Sequence, residues 1–221
     1  MPARRLIDAN ELFSALPDAA RATLRRRATT RSYERNEVLF SQGDSATEMF
    51  VIESGRIAIA TKAPDGRESV VAVLEAGGLI GEMGLFDGVS RSADARALVE
   101  SKLLVLQYES VRQALEAHPE VLWVVVRLLA RRLRATDEAL ADAVFLDVPG
   151  RTAKRLLELA GEADEFKLPV TQEELAAMVG ASRERVNKAL ALFSRLGWIE
   201  VQGRGRYKFL DRESLEDRAT L

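Results

Sequence analysis

The sequence predicts an α+β chain: an N-terminal antiparallel β-roll, one long helix, and a C-terminal helix-turn-helix with a β-hairpin wing. Three observations carry that prediction. Between Thr29 and Gln107, short apolar runs alternate with turn residues, the pattern of an antiparallel barrel or roll. Between Pro119 and Val148 there is no further Pro and no Gly, and Leu122, Leu129, Thr136 and Ala143 fall seven apart with Val126, Leu133 and Leu140 between them. That two-position heptad seam belongs to a helix packed along a second helix. From Thr171 to Leu196, two helical segments flank the tight turn Val179-Gly180-Ala181, as in a helix-turn-helix.

Composition narrows the class. The 221 residues are 47% hydrophobic, with 32 basic and 34 acidic side chains, which describes an ordinary soluble chain of one or two domains. No apolar run approaches the ~20 residues that cross a bilayer, and Met1 to Asn10 lacks a signal-peptide core, so a cytoplasmic protein with no membrane partner is expected. The chain has no cysteine. Disulfides, thiolate nucleophiles, zinc knuckles and cysteine-held iron-sulfur clusters are thereby excluded. The net charge of -2 says nothing about nucleic acid, because the distribution of charge matters more than its sum.

In chain order, Asp8 to Leu16 reads as a short amphipathic helix with Leu12, Phe13 and Leu16 on one side, and Pro17-Asp18 begins a second through Leu24 to Arg27. The run Arg25-Arg26-Arg27 reads as a solvated face. The strands expected in the roll are Glu37 to Phe40, Met49 to Ile52, Gly55 to Ile59, Val70 to Leu74 and Lys102 to Leu106. Turns at Gln42-Gly43-Asp44, Glu53-Ser54-Gly55, Pro64-Asp65-Gly66 and Gly77-Gly78 separate them. A roll of this size can hold one small ligand.

The densest constellation within it runs from Gly81-Glu82-Met83-Gly84 to Arg91-Ser92-Ala93. Two glycines let the backbone approach a ligand closely, and the turn between them offers amide donors to an anion. Arg91 adds a cationic fork suited to a phosphate, and Ser92 a hydroxyl donor. Glu82 supplies the opposite chemistry, a carboxylate that accepts from a sugar hydroxyl. Together they fit a molecule with both a hydroxyl and a phosphate. Each residue taken singly also fits a surface loop with a Glu-Arg ion pair.

At ~1.5 Å per residue the helix after Pro119 would be about 40 Å long. Its simplest partner is its own copy in a parallel dimer, and it is expected to end at Pro149-Gly150. Thr136 breaks the apolar rule of the seam and Asp137 sits at its edge; the pair reads either as a register-setting polar feature or as ligand-facing. The boundaries set by this reading are 1–118 for the roll, 119–146 for the helix and 147–221 for the rest. Asp147 can N-cap a new helix, with Pro149 tolerated in its first turn. That helix runs through Ala153, Leu156, Leu157 and Ala160 to Gly161.

In the helix-turn-helix, Ala176 is small where two helices cross, Gly180 permits the turn, Ser182 N-caps the second helix and Val186 packs back. Leu175, Val179, Ala181 and Ala189 complete a small core. A generic helical hairpin would share these spacings, but charge favours a nucleic-acid reader. From Arg183 to Lys208 there are seven basic residues and two acidic ones. Ser182, Arg183, Glu184, Asn187 and Lys188 lie on the exposed N-terminal face, where side chains meet base edges in a major groove. Arg183 and Lys188 suit guanine, Glu184 the cytosine amine, and Asn187 adenine or phosphate. Gly197 to Val201 and Tyr207 to Leu210 form the wing, whose tip can reach phosphate through Arg204 and Arg206. Trp198 reads as core, and Asp211 to Ala219 as a short capped helix. His118, the only histidine, has no Ser or Asp partner arrangement and reads as structural. No catalytic or metal constellation is present, and no enzyme is expected.

The run from Gly81-Glu82 to Arg91-Ser92-Ala93 resembles the phosphate-binding cassette of the cyclic-nucleotide-binding domain. The stretch ARRLRATDEALADAVFLDV resembles the dimerisation helix of the cyclic AMP receptor protein (Crp/Fnr) family, and the likeness covers nearly the whole chain. It implies a cyclic-nucleotide-binding β-roll, a dimerisation helix and a winged helix-turn-helix in a homodimeric transcriptional regulator under allosteric control. Cyclic AMP is the implied ligand, with no metal. The implied partners are a palindromic double-stranded DNA operator, a second copy of the chain, and RNA polymerase. The resemblance assigns Gly81 and Glu82 to the ribose hydroxyl, with Met83 beside them, and Arg91 and Ser92 to the cyclic phosphate. It places Arg132 as the counter-charge of Glu82, Thr136 facing the purine, and base reading on Arg183, Glu184 and Lys188. Asp137 departs from the serine of the best-known members. As an acceptor-only group it suits the adenine amine and opposes guanine O6. Lys188 stands where a bidentate Arg is more familiar, which loosens specificity. Two other readings are a regulator of this type that answers to a different nucleotide or to none, and a cyclic-nucleotide module regulating a protein partner. The second leaves the helix-turn-helix idle.

Overall fold

A computed structural model describes residues 4–62, 68–203 and 205–220. They form two compact units that divide between Arg132 and Leu133, inside one helix.

The first unit opens with α1 (Arg4–Ala9), α2 (Glu11–Ser14) and α3 (Asp18–Arg27). The single helix expected over Asp8 to Leu16 is broken at Asn10. Its side chain accepts from the Leu12 N–H at 3.1 Å and donates to the Gly77 carbonyl at 3.1 Å. Asn prefers such local capping to a place inside a helix.

Then come β1 (Thr29–Tyr33), β2 (Val38–Phe40), β3 (Glu48–Ser54), β4 (Ile57–Lys62), β5 (Glu68–Leu74), β6 (Leu79–Ile80), α4 (Met83–Asp87), β7 (Asp94–Ala97), β8 (Ser101–Gln107) and α5 (Tyr108–Ala117). The turn expected at Pro64-Asp65-Gly66 lies outside the described residues. Two four-stranded sheets, ordered β1-β8-β3-β6 and β2-β7-β4-β5, make the roll. The five expected strands are present, and β1, β6 and β7 are additional. β1 is mostly exposed and polar, β6 has two residues and β7 alternates Ala with charge, so none carries a strong apolar run.

Burial explains why β3 and β8 read as continuous apolar runs. Met49, Val51, Leu104 and Leu106 face a cluster with Leu12, Phe13, Leu24, Val111, Leu115 and Val125 of the helices. Phe50, Ile52, Leu103 and Val105 face the other way, into a cluster with Ile57, Ile59 and Ala95 of the second sheet. A strand covered on both faces has no polar side.

A 3₁₀ turn at Pro119–Val121 leads into α6 (Leu122–Phe145). Val124 and Val125 of α6 are buried, but its seam is open: Val126 is 52%, Leu133 62% and Leu140 63% exposed. The helix stops at Phe145 rather than at Pro149-Gly150. Asp147 caps α7 (Val148–Ala160) by accepting from the Gly150 N–H at 2.9 Å, with Pro149 in the first turn where its missing N–H costs nothing.

The second unit continues with β9 (Glu165–Lys167), α8 (Gln172–Val179), α9 (Arg183–Arg195), β10 (Ile199–Val201), β11 (Arg206–Phe209) and α10 (Arg212–Ala219). The expected wing is the antiparallel β10-β11 pair, to which β9 adds a third strand on the β11 side. Phe166 of β9 packs against Tyr207 and Phe209 at ring separations of 5.9 and 5.2 Å. Ala153, Leu156, Leu175, Val179, Val186, Phe193, Ile199 and Leu215 are buried. Trp198 is half-buried and stacked on Phe193 at 5.5 Å, in line with a core role. No helix among the described residues is long and apolar enough to cross a membrane.

Candidate functional site

The pairing of β6 with β3 delivers the chain to Gly81 at the end of β6. Gly81 has φ +76°, a conformation that L side chains rarely adopt, and a Cβ there would collide with the Arg91 guanidinium. Glu82 opens α4, and the chain returns through Arg91 into β7. This brings Gly81, Glu82, Met83, Arg91 and Ser92 together with Phe40, Ile59, Leu74 and Ile80 around a cavity of about 30 Å³, and Arg132 of α6 closes one side.

Glu82 is 2% exposed, and one of its carboxylate oxygens accepts from Arg132. Its Oε2 is buried without a hydrogen-bond partner among the described residues. Leaving a charged acceptor unsatisfied in this way is costly, and the oxygen is available to accept from a donor that enters the cavity.

Arg91, read from the sequence as a cationic fork suited to a phosphate, is already engaged by the protein. It is 6% exposed, and both Nη atoms donate to the protein: Nη1 to the Gly81 carbonyl at 3.0 Å and the Tyr108 hydroxyl at 3.2 Å, Nη2 to the Glu48 carbonyl at 2.7 Å. A buried guanidinium must satisfy its five donors, and carbonyls fill that need. Only Nε is left buried without a partner among the described residues. The guanidinium also stacks on Phe40, its carbon 4.1 Å from the ring centre. Ser92 is exposed, with its hydroxyl 3.6 Å from the Met83 sulfur.

Tyr108 is the residue that sequence reading missed. Its hydroxyl donates to the Gly81 carbonyl while accepting from Arg91. Burial pushes the phenol pKa up, against the pull of the Arg91 charge. No local spacing links it to Gly81; the link is register, because Gln107 lies opposite Glu48 in the β3-β8 pair. Thr136 and Asp137 belong to the second unit, where both are exposed on α6.

In the second unit, a capping box fixes the start of α8: Glu174 N–H donates to Thr171 Oγ1 at 3.2 Å, and Thr171 N–H to Glu174 at 2.7 Å. Gly180 ends it in the left-handed region, φ +67°. Ser182 then N-caps α9 as expected, accepting from the Arg185 N–H at 3.4 Å. Val186 and Ala189 are buried, whereas Ala181 is half-buried and less a core residue than expected.

Arg183, Glu184 and Lys188 are exposed. Arg183 lies 3.9 Å from Glu173, and Lys188 pairs with Glu184 at 2.7 Å, which holds the Glu184 carboxyl below its usual range. Asn187 corrects the expectation of an exposed face, being half-buried, with Oδ1 lacking a partner among the described residues. Next to buried Val186 and one helical turn before buried Leu190, it sits on the shoulder of the apolar stripe. Arg206 is exposed at the start of β11, and Arg204 lies outside the described residues.

Residues 30–118 match the family model for the cyclic nucleotide-binding domain, and residues 150–218 that for the Crp-like helix-turn-helix domain. The chain is similar to the CRP-like cAMP-activated global transcriptional regulator of Mycobacterium tuberculosis, 37% identical over 215 residues that cover 94% of this chain and 96% of that protein. It is also similar to the cAMP-activated global transcriptional regulator CRP of Escherichia coli, 34% identical over 179 residues, 78% of this chain and 85% of the other. Among solved structures it is similar to the c-di-GMP responsive global regulator CLP of Xanthomonas campestris, with TM-score 0.75 and 26% identity over 87% of this chain and 99% of that one.

Proposed function

Because the chain belongs to the Crp/Fnr family of DNA-binding transcriptional regulators, we propose that it acts as a homodimer whose hold on a palindromic operator is governed by cyclic AMP bound in each roll. The observation that carries this reading is the buried Glu82 carboxylate, neutralised by Arg132 on one side and unsatisfied at Oε2, in a cavity wall shared with Arg91 and its unpartnered Nε. An acceptor and a cationic donor so placed fit a group with a sugar hydroxyl and a phosphate. A ligand of that kind supplies the hydroxyl and the anion that these two atoms lack. The names of the similar M. tuberculosis and E. coli regulators support cyclic AMP among such ligands.

By resemblance, Thr136 and Asp137 of the dimer helix face the purine. Asp137 suits the adenine amine and opposes guanine O6. Arg183, Glu184 and Lys188 present donors and an acceptor to base edges, and Arg206 a cation to phosphate. RNA polymerase is the further partner that the resemblance suggests.

The similarity to a c-di-GMP responsive regulator favours as second reading a family member that answers to a different nucleotide. Calorimetric titration with cyclic AMP and with cyclic GMP separates the two. Binding of cyclic AMP, weaker binding of cyclic GMP, and loss of both in Arg91→Ala are expected. Binding of neither by the wild-type protein overturns the cyclic AMP reading.

A further inference from the structure

We propose that Tyr108 is a positioning residue for phosphate recognition, acting through Arg91 and Gly81; this rests on the cyclic-nucleotide reading above. Tyr108 is 6% exposed at the first position of α5 and does not line the cavity. Its backbone N–H is fixed on the Thr47 carbonyl at 2.9 Å, so the ring has a rigid mount. From there one hydroxyl serves two groups of the cavity wall, donating to the Gly81 carbonyl and accepting from Arg91 Nη1. The same hydroxyl stands against the turn at Gly84, where a Cβ would come within 3.1 Å of it and 2.8 Å of the Val89 carbonyl. The phenol therefore ties the guanidinium to the Gly81 carbonyl and packs close to Gly84.

A guanidinium has a fixed fan of donors. Holding Nη1 against Tyr108 and Gly81, and Nη2 against Glu48, sets the direction in which Nε points. A phenylalanine ring would keep the packing and the aromatic contact with Arg91 (5.9 Å to the ring centre) while removing the bond that aims it. The Gly81 carbonyl would lose one of two donors, loosening the peptide that leads to Glu82.

The test is a double-mutant cycle on the full-length dimer, with cyclic AMP as titrant and wild type, Tyr108→Phe, Arg91→Lys and the double variant as proteins. Tyr108→Phe is expected to weaken cyclic AMP binding about tenfold, with the unfolding temperature close to wild type and no further loss in the Arg91→Lys background. A wild-type affinity for Tyr108→Phe, or the same loss in both backgrounds, overturns the assignment; the second outcome would mean a packing role only. Failure of the wild-type protein itself to bind is read in its own arm, and overturns the nucleotide reading together with this one.

Discussion

At the scale of single residues, the cavity is built from groups that are each half-satisfied. Glu82 has one oxygen paired and one bare, and Arg91 has its Nη atoms engaged and its Nε bare. The sequence motif shows the pairing of opposite charges but not this division of each group, which depends on neighbours 43 and 50 positions away. Asn187 shows the converse: the sequence reads it as exposed, and its place on the shoulder of the apolar stripe half-buries it. Lys188 is exposed, as its helical spacing implies. Its pair with Glu184 is exposed at both ends, and such a pair contributes little, so the amine can exchange its partner for a base edge. Lys188→Ala is therefore expected to lower operator affinity by roughly 1–3 kcal/mol in a fluorescence-anisotropy titration at fixed salt. The calorimetric affinity for cyclic AMP should be unchanged, and an equal loss in both would refute a base-reading role.

At the scale of elements, the junction between α6 and α7 repeats the same economy with backbone groups. Arg151 donates to the Leu146 carbonyl at 2.6 Å and the Val179 carbonyl at 2.9 Å, joining the end of one helix to the end of α8. Asp147 caps α7 and pairs with Arg218 of α10. The cap was legible because Asp before Pro-Gly has few other uses; its ion pair was not, since Arg218 lies 71 positions on. Burial opposes ionisation of Asp147, but the Gly150 N–H and the Arg218 charge outweigh it and hold its pKa below the usual carboxylate value. A depressed pKa means stability that is present above about pH 4, the unfolded value, and lost as pH falls through the folded one. The side chain is 58% exposed, so the effect is small. Asp147→Asn keeps the cap and removes the charge. Thermal unfolding followed downward from pH 7 should show the variant slightly less stable at pH 7 and the gap narrowing as pH falls below about 4; a constant gap across the range would exclude the ion pair as the cause.

For the whole molecule, the decisive surface is the one α6 leaves open. Val126, Leu133 and Leu140 are more than half exposed along a single heptad seam, a pattern that a lone helix in water does not sustain. The heptads were readable in advance because their period is local. The division into compact units at Arg132 and Leu133 was not, because the helix runs through it without a break in sequence. If α6 pairs with a second copy as proposed, Leu133→Glu should sediment as a monomer where the wild type sediments as a dimer, and should cost operator affinity, since paired half-sites need paired readers. A variant that still sediments as a dimer would place the interface elsewhere. The cavity has a consequence in time as well as in affinity. With about 30 Å³ between its walls it is much smaller than a nucleotide, so on the proposed reading the walls move apart before the ligand seats. Association would then be slower than encounter, and the speed with which such a regulator follows its signal would be set by how often the roll opens.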